Sequence, residues 1–192
     1  MNQLKKIFRQ ISEAVDNRKD DFHTFFFSNI CNGEIESRCV ILRNFDDERG
    51  IIYFHSDKRS PKVNSLKDNP QSYCLFYHKD NKVQLRIKTF TKIHFSGNVW
   101  EKAWSKTKLS SRKCYLSIYN PSQTISSCDD GIPFELKGRN PSISESKKGE
   151  KNFVVVENKI KSIDWLILDS QGHKRKKFFL EDEEKNETWL AP

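Results

Sequence analysis

Apolar residues near the start of the chain recur every three or four positions. They are Leu4, Ile7, Phe8, Ile11 and Val15. This spacing places all five on one face of a helix, so the sequence predicts an opening helix over residues 3–18. The charged run at residues 16–21 ends the pattern.

After residue 21 the pattern changes to short runs in which apolar and polar residues alternate, separated by turn-forming residues. The runs predict strands over residues 22–30, 35–43, 51–56, 72–78, 82–89 and 91–99. The Asn32-Gly33 pair between the first two runs is typical of a tight β-hairpin turn. Within residues 82–89 the odd-numbered apolar residues face one side, and Gln84, Arg86 and Lys88 face the other.

The second half of the chain is less regular. The pattern predicts helices over residues 60–69 and 100–117, an irregular insertion over residues 120–152, and closing strands over residues 153–157, 162–168 and 178–180. A helix, many antiparallel strands and few further helices indicate a mainly β, α+β protein built on a β-barrel. With 192 residues, the chain is expected to form a single domain over residues 1–192.

Composition narrows the function only in part. The net charge of +8 suits an anionic ligand, a nucleic acid or a membrane surface and does not choose among them. Five scattered cysteines without a C-x-x-C pair argue against a disulfide framework and a zinc site, so no metal is expected. No apolar run is as long as a membrane span and no signal peptide follows Met1, so we expect a soluble, cytoplasmic protein without membrane partners.

A group of polar side chains suits a phosphate beside a flat heteroaromatic ring. Arg38 begins one strand, and Ser56, Ser60 and Lys62 cluster where a later strand ends and a helix starts. Cations, hydroxyls and the N–H groups of a helix start are typical ligands of phosphate. Gln84 on a sheet face can donate to and accept from the polar edge of a flavin ring. The combination predicts a flavin mononucleotide (FMN) site.

Each of these residues also has an ordinary interpretation. Arg38 and Lys62 could be solvated surface charges, and Gln84 could lie on the wet face of a sheet. The prediction therefore depends on their occurrence together. A remote alternative is a basic barrel that binds single-stranded nucleic acid through aromatic and cationic side chains.

The segments R-C-V-I-L-R, Y-F-H-S-D-K-R-S-P-K, S-L-K-D-N-P and V-Q-L-R-I occur in this order over residues 38–88. This order resembles the pyridoxamine 5'-phosphate oxidase-like FMN-binding split barrels, and the final L-A-P resembles the end of that oxidase. The resemblance implies an antiparallel split β-barrel with flanking helices. It also implies non-covalent FMN, and a homodimer with the flavin at the interface. A deazaflavin or haem, which some split barrels hold, is an alternative to FMN.

The resemblance carries the family's flavin contacts onto matching positions. The implied cofactor-binding residues are Arg38, His55, Ser56, Ser60, Lys62, Gln84 and Ser122. The chain departs from the family pattern at Pro61, where the family has an arginine that Arg59 could replace, and at Pro121, where it has a glutamine.

The substrate positions match less well. The resemblance places substrate contacts at Arg43, Lys108, Arg112 and Arg175, with Trp104 at the position of a family tyrosine. Positive charge is retained, which suits a small anionic substrate, but the hydroxyl groups are lost. No catalytic nucleophile is identified or required. The implied function is an FMN-dependent oxidoreductase, and the alternative is a carrier or sensor that binds FMN without turnover.

Overall fold

A computed structural model describes residues 2–181 and 186–192. The helices are α1 (Gln3–Asp16), α2 (Pro61–Asp68), α3 (Asn98–Lys106), α4 (Leu109–Arg112) and α5 (Ile143–Lys147). The strands are β1 (Thr24–Cys31), β2 (Glu34–Ile41), β3 (Asn44–Asp46), β4 (Ile51–Asp57), β5 (Gln71–His78), β6 (Val83–His94), β7 (Phe153–Ile167), β8 (Lys174–Phe179) and β9 (Glu187–Leu190).

Within the described residues all nine strands join one antiparallel sheet in the order β2-β1-β5-β6-β7-β4-β3, with β8 paired to β7 and β9 paired to β8. The long β7 pairs with β4 through residues 153–159 and with β8 through residues 162–167. Lys161 is an extra residue opposite the Lys88–Thr89 step of β6, and such a bulge bends a strand. The sheet therefore divides into two parts at this point, and the predicted antiparallel split β-barrel is confirmed.

The predicted hairpin at Asn32-Gly33 is confirmed. Both residues have positive φ, 52° and 83°, which is the conformation that a two-residue hairpin turn requires. The turn fixes the register, so that Arg38 of β2 lies opposite Phe27 of β1. Among the described strands β2 lies at one end of the order and pairs with β1 alone.

Aromatic residues fill the barrel. Phe25 stacks on Phe76 with ring centroids 4.6 Å apart, and Phe27 lies 4.8 Å from Phe54. The predicted helix α1 covers this core with Ile7, Ile11 and Ala14, all fully buried. A second apolar cluster lies against α3 and contains Ile51, Tyr53, Trp104, Phe153 and Val155.

Several predicted boundaries are wrong. The predicted strands over residues 153–157 and 162–168 form the single strand β7, which ends at Ile167, because the bulge at Lys161 absorbs the irregular stretch between them. The predicted strand over residues 91–99 ends at His94, since Gly97 with φ 85° begins α3. The predicted helix over residues 100–117 is interrupted where Thr107 and Lys108 adopt extended backbone.

The segment 120–152 is less irregular than predicted. It contains α5, whose start is capped because the Ser142 hydroxyl accepts from the Glu145 N–H while the Glu145 carboxylate accepts from the Ser142 N–H. Arg139 makes an ion pair with Glu145 at 2.7 Å. Two short 3-10 turns flank this helix, at Phe134–Leu136 and Glu150–Asn152. None of the described helices is long and apolar enough to cross a membrane.

Candidate functional site

A cleft of about 370 Å³ lies between β2 and the end of β4. Among the described residues β4 pairs with β3 only through residues 51–53, so the edge of residues 55–57 faces β2 without a strand between them. Five of the predicted site residues line this cleft: Arg38, Arg43, His55, Ser56 and Lys62. The split between the two strand edges therefore brings together side chains that are distant in sequence.

Lys62 is the central cation of the cleft. Its Nζ donates to the Ser60 hydroxyl at 2.8 Å and to the Ser56 hydroxyl at 3.1 Å. Burial lowers the pKa of Lys62, and the nearby charge of Arg38 lowers it further. Pro61 occupies the first helical position of α2 and needs no N–H partner, so the chain turns directly into the helix that presents Lys62.

Arg38 is held in a fixed position by neighbouring residues. Its guanidinium donates to the Asn29 side chain, to Glu36 at 2.7 Å and to the Phe27 carbonyl at 3.4 Å. Its side chain is 21% exposed, so one side of the group remains open to the cleft. Arg43 follows β2 at the exposed mouth of the cleft and makes no ion pair with any residue that the structure describes. The cleft therefore contains three cations.

One carboxylate lines the cleft, and it is already paired. Asp57 accepts from Arg59 Nε at 3.0 Å and from Arg59 NH2 at 2.7 Å. Arg59 also donates to the Ser117 carbonyl at 2.9 Å and is not among the residues that line the cleft. Arg59 thus neutralises Asp57, and the idea that it replaces the missing arginine at Pro61 is not supported.

His55 lies in the wall of the cleft as a neutral ring. Burial, followed by the charge of Arg43, lowers its pKa from 6.5 to about 3. Its ring meets the edge of Phe153 with centroids 4.8 Å apart. At neutral pH His55 therefore adds no charge to the cationic cleft.

This low pKa predicts how stability depends on pH. Between about pH 3 and 6.5 the unfolded chain binds a proton at His55 that the folded chain does not bind. The contribution of His55 to the free energy of unfolding should therefore rise with pH through this window and stay constant above it. We expect His55→Phe to reduce that slope, as measured by urea unfolding at successive pH values. Equal slopes for the variant and the unchanged protein would show that His55 is not a buried neutral ring.

Gln84 and Arg175 do not line the cleft of their own chain. Gln84 lies opposite Tyr77 of β5 and Leu166 of β7, and Leu166 lies opposite Arg175 of β8, so all four side chains share the outer face of the sheet. Arg175 is bound in two hydrogen bonds to Asp164, at 2.9 and 2.8 Å. Both predicted site residues therefore lie on the outer face and are not among the residues that line the cleft that holds Lys62.

The outer face also carries exposed aromatic groups. Phe26, Tyr73 and Tyr77 are 49%, 52% and 42% exposed. The strand register places them on the same side of the sheet as Gln84, because Tyr77 pairs with Gln84 and Phe26 pairs with Leu75. Aromatic side chains in this arrangement are typical of a surface that another protein covers.

Arg112, predicted at the substrate, lies inside the chain rather than in the wall of the cleft. Arg112 is buried, and its guanidinium donates to the carbonyls of Thr107 at 2.9 Å and Trp104 at 2.7 Å. It also lies 4.4 Å above the ring of Trp104. The donors of Arg112 are thus used within the chain, where they hold α3 and α4 together. Lys108, also predicted at the substrate, is exposed at the start of α4 and is not among the residues lining the cleft.

Ser122 lies beside the cleft rather than in its wall. Its neighbour Pro121 lines the cleft, and Ser122 itself is exposed with φ 65°. The sequence reasoning missed Cys39, Cys114 and Tyr115, which also line the cleft. Burial raises the pKa of Tyr115, so its hydroxyl stays protonated. Cys39 could have been found from its place inside the R-C-V-I-L-R strand, whereas Cys114 and Tyr115 carry no local signal.

Comparisons with known proteins give a matching family model and curated relatives. Residues 2–94 match the family model described as pyridoxamine 5'-phosphate oxidase, FMN-binding domain. The pyridoxine/pyridoxamine 5'-phosphate oxidase 2 of Arabidopsis thaliana is 32% identical over 92 residues, which cover 44% of this chain and 46% of that protein. The chain thus spans less than half the length of the curated relatives it matches.

Two solved structures share the fold. A pyridoxamine 5'-phosphate oxidase-related, FMN binding protein of Nostoc punctiforme has a TM-score of 0.77 and 15% identity, covering 100% of this chain and 99% of its own. PhzG of Burkholderia lata, solved with tetrahydrophenazine-1-carboxylic acid, has a TM-score of 0.74 and 14% identity over 98% of this chain and 92% of its own. The matching family model is an FMN-binding domain, so the prediction of an FMN cofactor is confirmed.

Proposed function

Since residues 2–94 match the FMN-binding domain model of the pyridoxamine 5'-phosphate oxidases, we propose that the protein is an FMN-dependent oxidoreductase acting on a small anionic substrate. The cleft between β2 and β4 carries this proposal, because Arg38, Arg43 and Lys62 meet there. Arg38 is paired with Glu36, and Asp57, the carboxylate that lines the cleft, is paired with Arg59. A region of excess positive charge inside a cleft attracts and orients anions.

The residues present fit an FMN phosphate. Lys62, Ser56 and Ser60 form a connected donor group, and Arg38 adds a second cation that is held by Asn29. Lys62 makes no ion pair within the described part of the chain, so its charge is available to a bound anion. We assign these four residues to the phosphate, since charge-assisted hydrogen bonds are the strong contacts in phosphate recognition.

The remaining groups of the cleft would position the reactants. Bound FMN supplies hydride transfer chemistry, and the protein supplies orientation and electrostatics. Arg43 at the exposed mouth is placed to hold the anionic group of a substrate by direct charge attraction. His55 and Tyr115 line the wall as neutral groups near neutral pH, so neither competes with the substrate for the cations.

We further propose that the protein works as a homodimer with the flavin at the interface. The exposed Phe26, Tyr73 and Tyr77 supply the apolar part of such an interface. Gln84 and Arg175 face the same side, so a partner chain could bring its own copies of both residues to the cleft. This arrangement would account for two predicted site residues that the cleft of one chain does not contain.

A second candidate function is a carrier or sensor that binds FMN without turnover. The internal position of Arg112 and the exposed position of Lys108 favour it, because the substrate-phosphate site implied by the resemblance is not assembled. The nucleic-acid alternative loses support, since the matched domain is a flavin-binding one. The proposed location remains the cytoplasm, as predicted from the sequence.

Purified protein supplied with FMN, pyridoxamine 5'-phosphate and oxygen tests the choice between the two functions. The oxidase proposal expects hydrogen peroxide in proportion to aldehyde product, and a sedimentation mass of two chains for the yellow protein. Free FMN without protein is the control for background oxidation. A yellow protein that forms no peroxide with this substrate or with related amine phosphates would favour the carrier or sensor. A colourless protein that takes up no FMN would contradict both.

A further inference from the structure

Two free thiols share the wall of the proposed FMN cleft. Cys39 comes from β2 and Cys114 from the 3-10 turn Lys113–Leu116, and both are exposed and line the cleft. The third exposed thiol, Cys128, is not among the lining residues. Cys31 and Cys74 are buried, and burial raises the pKa of Cys74 to about 12.

The surroundings of the two thiols select the charge of a reagent. Arg38, Arg43 and Lys62 line the same cleft as the two cysteines. Asp57, the carboxylate in the wall, is bound to Arg59. Positive charge in a partly enclosed cleft raises the local concentration of anions. An anionic thiol reagent should therefore reach Cys39 and Cys114 more readily than a neutral one of similar size.

We propose that Cys39 and Cys114 form a covalent modification site for anionic low-molecular-weight disulfides of the glutathione class, and that modification and FMN binding exclude each other. The exclusion rests on the proposed FMN site, whereas the preference for anionic disulfides does not. An attached peptide thiol would fill a cleft of about 370 Å³, and its carboxylates would pair with the cations that FMN phosphate needs.

The chemical step is a thiol–disulfide exchange. The thiolate sulfur of Cys39 or Cys114 attacks one sulfur of the disulfide, a new S–S bond forms, and the old S–S bond breaks. The released half leaves as a thiolate and takes up the proton that the cysteine lost. The disulfide is the oxidant, and an added thiol reverses the step.

If modification and FMN binding exclude each other, FMN should slow modification by a predictable factor. A ligand that blocks the free form slows modification by the factor 1 + [FMN]/Kd, so FMN at 100 times its Kd should slow modification about 100-fold. Cys128 lies outside the lining residues and should keep its rate. The same linkage requires the modified protein to take up FMN more weakly.

The first experiment maps modification by peptide mass spectrometry in the full chain. Glutathione disulfide is compared with the neutral 2-hydroxyethyl disulfide, with and without FMN, and Cys128 is the internal reference. We expect glutathione disulfide to be preferred at Cys39 and Cys114 relative to Cys128, with less preference at high salt and protection by FMN. The measured quantity is the rate of modification by glutathione disulfide divided by the rate with 2-hydroxyethyl disulfide. The same value of this ratio at Cys39, Cys114 and Cys128 would overturn the proposed site.

The second experiment measures FMN uptake before and after glutathione disulfide treatment. Uptake by the unchanged protein should fall after treatment and return after dithiothreitol. Uptake by Cys39→Ser/Cys114→Ser should not change with treatment, whereas Cys128→Ser should behave as the unchanged protein. Undiminished uptake by a fully modified protein would contradict the exclusion. If FMN does not bind even before treatment, the proposed function fails, and the ratio of the two disulfides still decides whether the modification site exists.

Discussion

Arg38→Ala combined with Lys62→Ala is expected to abolish FMN retention during purification while leaving the fold intact. Each residue is assigned a charge-assisted hydrogen bond to the phosphate, worth roughly 1.5–3 kcal/mol. Loss of both corresponds to a Kd that is weaker by roughly a hundredfold to ten-thousandfold. The measurement is fluorescence titration of FMN with the stripped protein, together with the flavin absorbance of freshly purified protein.

The fold should survive this double change because neither side chain belongs to the apolar core. Lys62 contacts the hydroxyls of Ser56 and Ser60, and Arg38 contacts polar groups of β1 and β2. Lys67→Ala is the matched control, since Lys67 lies on the same helix α2 and does not line the cleft. A double variant that keeps its full flavin content would show that the phosphate binds elsewhere.

The grouping of Arg38, Ser56, Ser60 and Lys62 could be predicted because its signals are local. Ser60, Pro61 and Lys62 lie at the start of one short helix, where a proline at the first helical position and a lysine beside two hydroxyls are visible in the sequence. Arg38 could be placed because the Asn32-Gly33 turn fixes the register of its strand. Short-range geometry thus determines most of what these residues contact.

The positions of Lys108 and Arg112 could not be predicted because they depend on long-range packing. Periodicity continued the predicted helix past Thr107, but the Thr107 hydroxyl bonds back to the Ala103 carbonyl at 2.7 Å and the chain leaves helical geometry there. The break redirects Arg112 onto Trp104. Likewise, the bulge at Lys161 depends on pairing with a strand about seventy residues earlier, which no local pattern of β7 reveals.

The same distinction explains the position of Gln84. Strict alternation over residues 82–89 was enough to predict that Gln84 faces away from the core, and the structure agrees. The alternation of apolar and polar residues shows which face of the sheet a side chain lies on, but not which other groups face it. Only the split between β2 and β4 shows that the cleft of one chain lies elsewhere, so a contact between Gln84 and FMN requires a partner chain.

Arg112→Ala is expected to destabilise the protein strongly, in contrast to the substrate role that the resemblance implied. The change leaves the part-buried carbonyl of Thr107 without its donor and removes the cation above the Trp104 ring, whereas the Trp104 carbonyl keeps the Thr107 N–H. The carbonyl left unpaired costs about 1–3 kcal/mol, and the lost cation–π contact adds about 1 kcal/mol. The free energy of unfolding should therefore fall by roughly 2–4 kcal/mol, measured by urea unfolding with circular dichroism.

Comparison with other variants separates packing from substrate binding. Arg112→Lys retains the charge but lacks the planar fork that reaches several carbonyls, so we expect it to lose most of the same stability. Lys108→Ala, at the exposed start of α4, should change stability by less than about 0.5 kcal/mol. A residue that contacts substrate would behave differently, since its removal raises KM and leaves unfolding unchanged. An unchanged free energy of unfolding in Arg112→Ala would therefore support a role of Arg112 in substrate binding. A large loss of stability in both Arg112 variants would mean that this arginine holds α3 and α4 together.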